Sequence, residues 1–348
     1  MHSKLIVAAM AAAGLCLGAP AKAQGLDAFY KGKKVSIVIG SAAGGGYDAY
    51  ARLVARHLGD HIPGNPSVIP QNMPGAGQTK AAGYVNSVAP KDGTAIAAIS
   101  PGAMLAPVLG GPKITYDPVK LQVIGSANSD VYTCISRPDA AVKEFKDAFD
   151  KEIVIGLSTG TTRDMPMLLK NILGVKFRMV SGYPGTKDII LAFERNEIQG
   201  LCGYGYASLV SRNADWITKG IAKVLVQESS RGHPDLNKLG VPLATSFART
   251  AEDRQILDLV YSQGLFGRPY VAAPEVAKDR IAGLRKAFLA TLADPKLIAE
   301  AKKAKLDLDP MSGEEVQELV VKVFATPPAV LQRARQALGT DQPKKKKQ

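Results

Sequence analysis

The chain of 348 residues is moderately basic, with 44 lysines and arginines against 31 acidic residues and a formal charge of +13. This length exceeds what a single hydrophobic core usually organises and therefore predicts two domains. The charge favours small anions or an acidic surface as partners. Because no recognisable nucleic-acid module or aromatic platform accompanies it, we do not expect nucleic-acid binding.

Residues 1–23 have the organisation of a secretory signal peptide: a basic start, a short apolar segment and a small-x-small cleavage site that ends at Ala23. Cleavage there removes Lys4 and Lys22 and lowers the formal charge from +13 to +11. A lipid-anchored start at Cys16 is the alternative, disfavoured by the bulky residue before it. No later segment has 18 uncharged apolar residues, so we expect a periplasmic protein free of the membrane.

Strand-like and helix-like segments alternate in the first part of the mature chain. Strands are predicted at 34–40, 67–71 and 94–99, and helices at 47–58, after Gly77 to about residue 88, and from about residue 101. Such alternation implies right-handed βαβ units around a largely parallel sheet.

A second series of alternating segments starts after residue 126. Its predicted strands are 131–136, 152–157, 176–180 and 223–227, and its helices are 163–173 and 186–196. The rest of the chain is mostly helical, with helices predicted at 251–262, 274–292, 295–305 and 312–325. Pro274 and Pro295 would occupy first-turn positions, which tolerate proline.

These elements predict an α/β protein with two lobes, each a sheet flanked by helices. Residues 24–125 and 250–340 would form the first lobe, and 126–249 the second. The chain would cross between them and leave a cleft. The lysine-rich end, 341–348, has no apolar residue and is predicted to be a disordered tail. A surface-binding role of Lys344–Lys347 is the alternative.

A glycine-rich segment links the first predicted strand to the first long helix. Its glycines let the backbone approach a ligand closely, and the N–H groups at the start of the helix favour a carboxylate or phosphate. A tight turn without ligand is the alternative. The candidate ligand-binding residues of this segment are Ala43, Gly44, Gly45, Gly46, Tyr47 and Asp48.

A threonine-rich segment has the same position in the second lobe. Capping of the following helix accounts for one or two of its four hydroxyls, but not for all of them. Two anion-binding helix starts, one in each lobe, predict a ligand that bridges the lobes. The candidates here are Ser158, Thr159, Thr161 and Thr162.

Four further residues are candidates for the wall of the cleft. Ser100 follows a strand and precedes a helix in the first lobe. Tyr183 and Gly185 belong to a Gly-Tyr-Pro-Gly turn, and Tyr204 to a glycine-rich aromatic segment. For Tyr183, Gly185 and Tyr204, a turn or packing role without ligand contact is the alternative.

Gly156-Leu157-Ser158-Thr159-Gly160 also fits the nucleophile elbow of serine hydrolases. A secreted hydrolase with Ser158 as nucleophile is therefore an alternative function. It would require a histidine later in the chain, and only His233 follows Ser158. The sequence also has no HGGG-type oxyanion segment upstream of this serine, so a binding protein without enzymatic activity is favoured.

The remaining residue types predict neither a metal site nor a cofactor. His57, His61 and His233 have no zinc-site spacing, and no phosphate-binding loop or dinucleotide-binding glycine pattern occurs. Cys134 and Cys202 form either a disulfide in an oxidising compartment or two buried thiols, because spacing alone does not distinguish them.

The sequence resembles the substrate-binding proteins of tripartite tricarboxylate transporters, also called the Bug or TctC family. The similar segments, in family order, are FYKGKKVSIVIGSAAGGGYDAYARLVARHL, NPSVIPQNMPGAGQTKAAGYV, APKDGTAIAAIS and VSGYPGTKDIILAFERNEIQG. NMPGAGQ and APKDGT are the most specific, because a generic βαβ unit does not require them. The resemblance covers essentially the whole mature chain.

This resemblance implies a two-lobed periplasmic binding fold that closes on a di- or tricarboxylate or a related organic acid. The carboxylate would contact the loops at 43–48 and 158–162, and membrane permease subunits would be the partners of a monomer. The Thr-Gly-Thr-Thr-Arg-Asp and Gly-Tyr-Pro-Gly sequences depart from the common pattern, which leaves the ligand open. Arg163 would either pair with a second carboxylate of the ligand or point outward. A role of the whole protein as an envelope sensor or scaffold is an alternative function.

Overall fold

The computed structural model describes residues 25–110, 113–158 and 160–341. The predicted signal peptide, the lysines of the predicted tail and the candidate Thr159 lie outside these residues. Among the described residues, no helix combines the length and apolar character that a membrane crossing requires.

Eleven strands occur within the described residues. In chain order they are β1 (Lys34–Ile39), β2 (Ser67–Asn72), β3 (Ala95–Ala98), β4 (Gln122–Ser126), β5 (Tyr132–Ser136), β6 (Ile153–Gly156), β7 (Phe177–Val180), β8 (Gly200–Gly205), β9 (Lys223–Glu228), β10 (Pro269–Ala272) and β11 (Met311–Ser312).

The α-helices of the described residues are α1 (Leu26–Tyr30), α2 (Gly46–His61), α3 (Thr79–Ser87), α4 (Pro101–Leu109), α5 (Thr161–Leu168), α6 (Thr186–Glu194), α7 (Tyr206–Arg212), α8 (Ala214–Thr218), α9 (Pro234–Lys238), α10 (Ala251–Leu265), α11 (Lys278–Leu292), α12 (Pro295–Lys303), α13 (Gly313–Phe324) and α14 (Pro328–Leu338). A π-helical turn, Leu169–Leu173, continues α5.

The strands form two mixed sheets flanked by helices, which confirms the predicted fold class. The first sheet has the order β11-β4-β10-β3-β1-β2 and the second the order β7-β6-β8-β5-β9. β1, β2 and β3 are parallel, as are β6, β7 and β8, whereas β10 and β5 run antiparallel to their neighbours. The chain passes from the first sheet to the second between β4 and β5.

Most helix boundaries follow from local chemistry. Ser312 and Glu315 form a capping box at the start of α13, and Pro295 occupies the first turn of α12 as predicted. The prediction for Pro274 is wrong, because α11 begins only at Lys278. Pro274 lies instead in the turn that follows β10.

The apolar residues form three buried clusters. One lies between α2, α11 and the first sheet and includes Ile37 and Phe288, and another lies under the second sheet around Phe193. The largest contains residues of both sheets, from Val38 in β1 to Val226 in β9. The two sheets therefore share one buried cluster. The domain limits at 125 and 250 stay a prediction.

Cys134 in β5 and Cys202 in β8 form a disulfide. The carboxylate of Glu228, at the end of β9, lies within 4.8 Å of both sulfur atoms, and only 1% of this residue is exposed. Burial raises the pKa of Glu228 to about 8, although the Gly203 N–H that donates to it acts in the opposite direction. The carboxyl group is therefore mainly protonated at neutral pH.

Replacement of Glu228 with glutamine should stabilise the protein at alkaline pH more than at acidic pH. The folded-state pKa lies above the unfolded one, so the wild-type chain loses stability as the pH rises from about 4.5 to about 8, at about 1.4 kcal/mol per pKa unit. Glutamine keeps an acceptor for Gly203 and has no such titration. Urea unfolding at several pH values measures the difference between the two proteins.

The exposed Glu318 of α13 provides the matched control. Glu318→Gln removes an exposed carboxyl group and should change the free energy of unfolding little. Parallel pH profiles for wild type and Glu228→Gln would contradict the elevated pKa.

Candidate functional site

The two sheets present their strand ends to each other. Because parallel strands end at the same edge, the carboxyl ends of β1, β2 and β3 share one edge of the first sheet, and those of β6, β7 and β8 share one edge of the second. The short connection between β4 and β5 joins these edges. Ligands of open α/β sheets bind at such carboxyl edges.

The glycine loop, residues 41–48, follows β1 at this edge, and Asp48 holds its shape. The carboxylate of Asp48 accepts hydrogen bonds from Gly44 N–H at 2.8 Å, Arg52 Nε at 2.9 Å and Asn72 Nδ2 at 2.8 Å. Burial opposes its ionisation, but these three donors together lower its pKa. Asp48 therefore supports the loop through its side chain, and Gly44 takes a positive φ of 82°.

The loop leads into the start of α2, where Gly46 and Tyr47 are half-buried. Within the described residues no side chain caps this helix, and its first helical hydrogen bond runs from Ala49 N–H to Gly45 at 2.9 Å. The N–H groups of Gly46, Tyr47 and Asp48 precede that bond. They are the first-turn donors that give a helix start its partial positive charge.

Arg268, which sequence reasoning missed, lies beside this helix start. A Cβ placed on Gly46 would be 3.7 Å from its Nη2 atom. The guanidinium lies 4.4 Å from the ring centre of Tyr47 and 5.1 Å from that of Tyr50. Only 11% of the Arg268 side chain is exposed, so a buried cation reinforces the positive end of α2.

Arg268 also contacts the connection between the sheets. Its Nη2 atom is 3.8 Å from Asp130 Oδ2, and burial raises the pKa of Asp130 to about 6 while Arg268 acts in the opposite direction. Arg268 Nε and Asp130 Oδ1 are buried without hydrogen-bond partners among the described residues. The only sequence signal for Arg268 was its position just before an apolar segment, which does not indicate function.

The threonine loop, which is Ser158 together with residues 160–164, lies at the facing edge, after β6. Thr161 Oγ1 donates to the carbonyl of Gly203 at 2.9 Å, and Thr162 is buried. Ser158 is half-buried, and Gly160 takes a positive φ of 62° just before α5. Arg163 pairs with Asp164 at 3.0 Å and therefore does not point freely outward.

The other candidates differ in their surroundings. Ser100 caps α4 by accepting from Ala103 N–H at 3.3 Å, and Gly185 precedes α6. Tyr183 is half-buried, 3.3 Å from where a Cβ of Gly156 would lie. The Tyr204 hydroxyl donates to Asn213 at 2.7 Å, and the residue is buried.

A cavity of about 440 Å³ lies where the two edges meet. Asn128 to Val131 line it from the connection between the sheets, Tyr206 and the 229–234 segment from the second sheet, and Asp307 to Asp309 from the segment before β11. None of the described candidate residues lines it. Asp130 does, and this residue links the cavity to Arg268.

Solved structures with a similar fold are known. A TctC solute-binding protein from Polaromonas matches with a TM-score of 0.67 and 18% identity over 89% of this chain and 98% of that chain. MatC from Rhodopseudomonas palustris, solved with bound malate, matches with a TM-score of 0.60 and 18% identity over 88% of this chain and 99% of that chain. The periplasmic binding protein BugD matches with a TM-score of 0.61 and 22% identity over 88% of this chain and 98% of that chain.

The chain has the fold of these solute-binding proteins. The fold expected from the resemblance to the Bug family is therefore confirmed. No family model matches the sequence, and no curated protein matches it.

The geometry argues against the serine hydrolase alternative. Ser158 follows β6 and His233 follows β9, and β8 and β5 lie between these strands. Three strand spacings amount to about 14 Å, too far for a nucleophile and its base. His233 Nδ1 instead accepts from Asp235 N–H at 3.2 Å at the start of α9.

Replacement of Asp48 with alanine should destabilise the fold by about 2 kcal/mol, because three part-buried hydrogen bonds lose their charged acceptor and such bonds contribute about 1.5–3 kcal/mol. Urea unfolding measures this loss. Asp60→Ala, which removes an exposed acid from the same helix, should leave the free energy of unfolding nearly unchanged. Equal stability of the two variants would show that Asp48 does not hold the loop.

Proposed function

We propose that the protein is a periplasmic substrate-binding protein that holds a small organic carboxylate between its two lobes and delivers it to membrane permease subunits of a tripartite tricarboxylate-type transporter. One observation carries this proposal: the uncapped start of α2 lies beside the buried Arg268 at the edge that faces the second sheet. We further propose that the protein belongs to the Bug family and acts as a monomer.

The chemistry of this position favours an anion over a neutral ligand. Aligned N–H groups at a helix start carry a partial positive charge, and a guanidinium in a poorly solvated site binds carboxylates strongly. Arg268 Nε is buried without a partner among the described residues, so it can still donate a hydrogen bond. Asp130 offsets part of the charge, which suits a ligand that must later be released.

The size of the adjoining cavity, which Asp130 lines beside Arg268, fits a small organic acid. About 440 Å³ accommodates a molecule of a few carbon atoms beyond the carboxylate. Two of the structures similar to this chain hold such acids, malate in MatC and adipate in Rpa4515 of R. palustris. Arg231 and His233, together with the aspartates of the cavity, would select the remainder of the ligand.

The residues at the carboxyl edges of the two sheets support a transport function rather than catalysis. Backbone N–H groups, hydroxyls and one arginine suffice to hold an anion, and the protein needs no metal or cofactor for that purpose. Closure of the second lobe must then come from contacts that the ligand makes with the threonine loop. A disulfide between Cys134 and Cys202 suits an oxidising compartment such as the periplasm.

Replacement of Gly45 with leucine should weaken carboxylate binding without unfolding the protein. Gly45 has φ −82°, which any residue adopts, and a Cβ there would meet only the Ala42 carbonyl at an ordinary 3.6 Å. The larger side chain would nevertheless cover the start of α2. Because a hydrogen bond to a charged group contributes about 1.5–3 kcal/mol, affinity should fall more than about tenfold.

A thermal-shift screen of mono-, di- and tricarboxylic acids, with malate and adipate included, identifies the probe, and calorimetry then measures its Kd. Gly25→Leu is the matched control, because Gly25 also precedes a helix without a side-chain cap and a Cβ there meets nothing within 4 Å. This control should bind like wild type. Unchanged affinity in Gly45→Leu would remove the glycine loop from the site.

A further inference from the structure

Gly203, in β8, is the point where the threonine loop meets the second sheet. Its φ of +70° and its missing Cβ let the loop backbone approach, because a Cβ would collide with the Thr161 carbonyl group. The Thr161 hydroxyl donates to the Gly203 carbonyl at 2.9 Å. The position of the threonine loop therefore depends on where the sheet holds Gly203.

Two buried groups hold Gly203 from the other side. Glu228 Oε2 accepts the Gly203 N–H at 2.7 Å, and the neighbouring Cys202 is bonded to Cys134 in β5. The Glu228 carboxylate also lies within 4.8 Å of both sulfurs, and its Oε1 atom is buried without a partner among the described residues. Gly203, the disulfide and Glu228 thus form one contiguous buried unit behind the loop.

We propose that the Cys134–Cys202 disulfide and Glu228 are positioning groups that hold the threonine loop in its binding geometry, and that reduction of the disulfide releases the loop. This inference deepens the carboxylate site and rests on the threonine loop being part of it. The proposal assigns the groups a role through Gly203, not through contact with the ligand.

Reduction would release the threonine loop because two separate sulfur atoms need more space than two bonded ones. A dithiol such as dithiothreitol supplies two electrons and two protons, becomes a cyclic disulfide, and leaves two thiols in the protein. Unbonded sulfurs stay further apart than bonded ones, and protein interiors have little free volume. Cys134 is held by its pairing with Val226 in β9, and Glu228 lies beside the two sulfurs. We therefore expect the separation of the sulfurs to move Cys202, and with it the adjacent Gly203.

Hydrogen exchange of the ligand-free protein tests the proposal. After reduction by dithiothreitol, with both thiols verified by labelling, exchange in residues 160–164 should become up to about tenfold faster, the effect of one lost hydrogen bond on a local opening. Residues 46–50, at the start of α2, should not change. Unchanged exchange in 160–164, or an equal increase throughout the protein, would overturn the proposal.

A pair of variants tests the contribution of Glu228 in the oxidised protein. Glu228→Met keeps a side chain of similar size but removes the acceptor of the Gly203 N–H, and it should speed exchange in 160–164. Glu228→Gln retains an acceptor and should restore most of the protection, a rescue that a mere packing role would not produce. Equal exchange in the two variants would overturn the role of Glu228. Because these exchange experiments use no ligand, their outcome does not depend on whether the protein binds a carboxylate. Failure of this proposal is therefore distinguishable from failure of the proposed function.

Discussion

The structure depends on one electrostatic arrangement: a buried arginine placed against the open start of a long helix. Arg268 lies directly before β10, and α2 starts after β1, so the sheet order brings together residues more than 200 positions apart. An isolated buried cation would be costly, and here Asp130 and the rings of Tyr47 and Tyr50 share that cost. The result is a positive site with a partly compensated charge.

The second lobe contributes backbone geometry rather than charge. Its threonine loop is held by Gly203, whose positive φ and lack of a side chain allow the close approach. A rigid, charged first lobe and a backbone-lined second lobe together suit a protein that captures an anion and then closes over it. Asp130, in the connection between the sheets, contacts Arg268 and lines the cavity, and so couples the two halves.

Local patterns predicted the strands and helices that have clear periodicity, such as β1 and α2, and the strand–helix loops that follow them. They failed for short elements set by distant partners. β10 is only four residues long and pairs with β3 and β4. The pair of His57 with Glu300, 2.8 Å apart, joins positions separated by 243 residues, which no local pattern indicates. Arg268 was missed because its function arises only from tertiary contacts.

The most direct measurement is a crystal structure with the organic acid that raises the Tm most. We predict a carboxylate oxygen within about 2.7–3.2 Å of N–H groups at the start of α2, with Arg268 beside it and the threonine loop on the opposite side. A carboxylate bound only in the cavity around Asn128 to Val131, with the glycine loop free of contact, would show that the start of α2 does not bind the ligand.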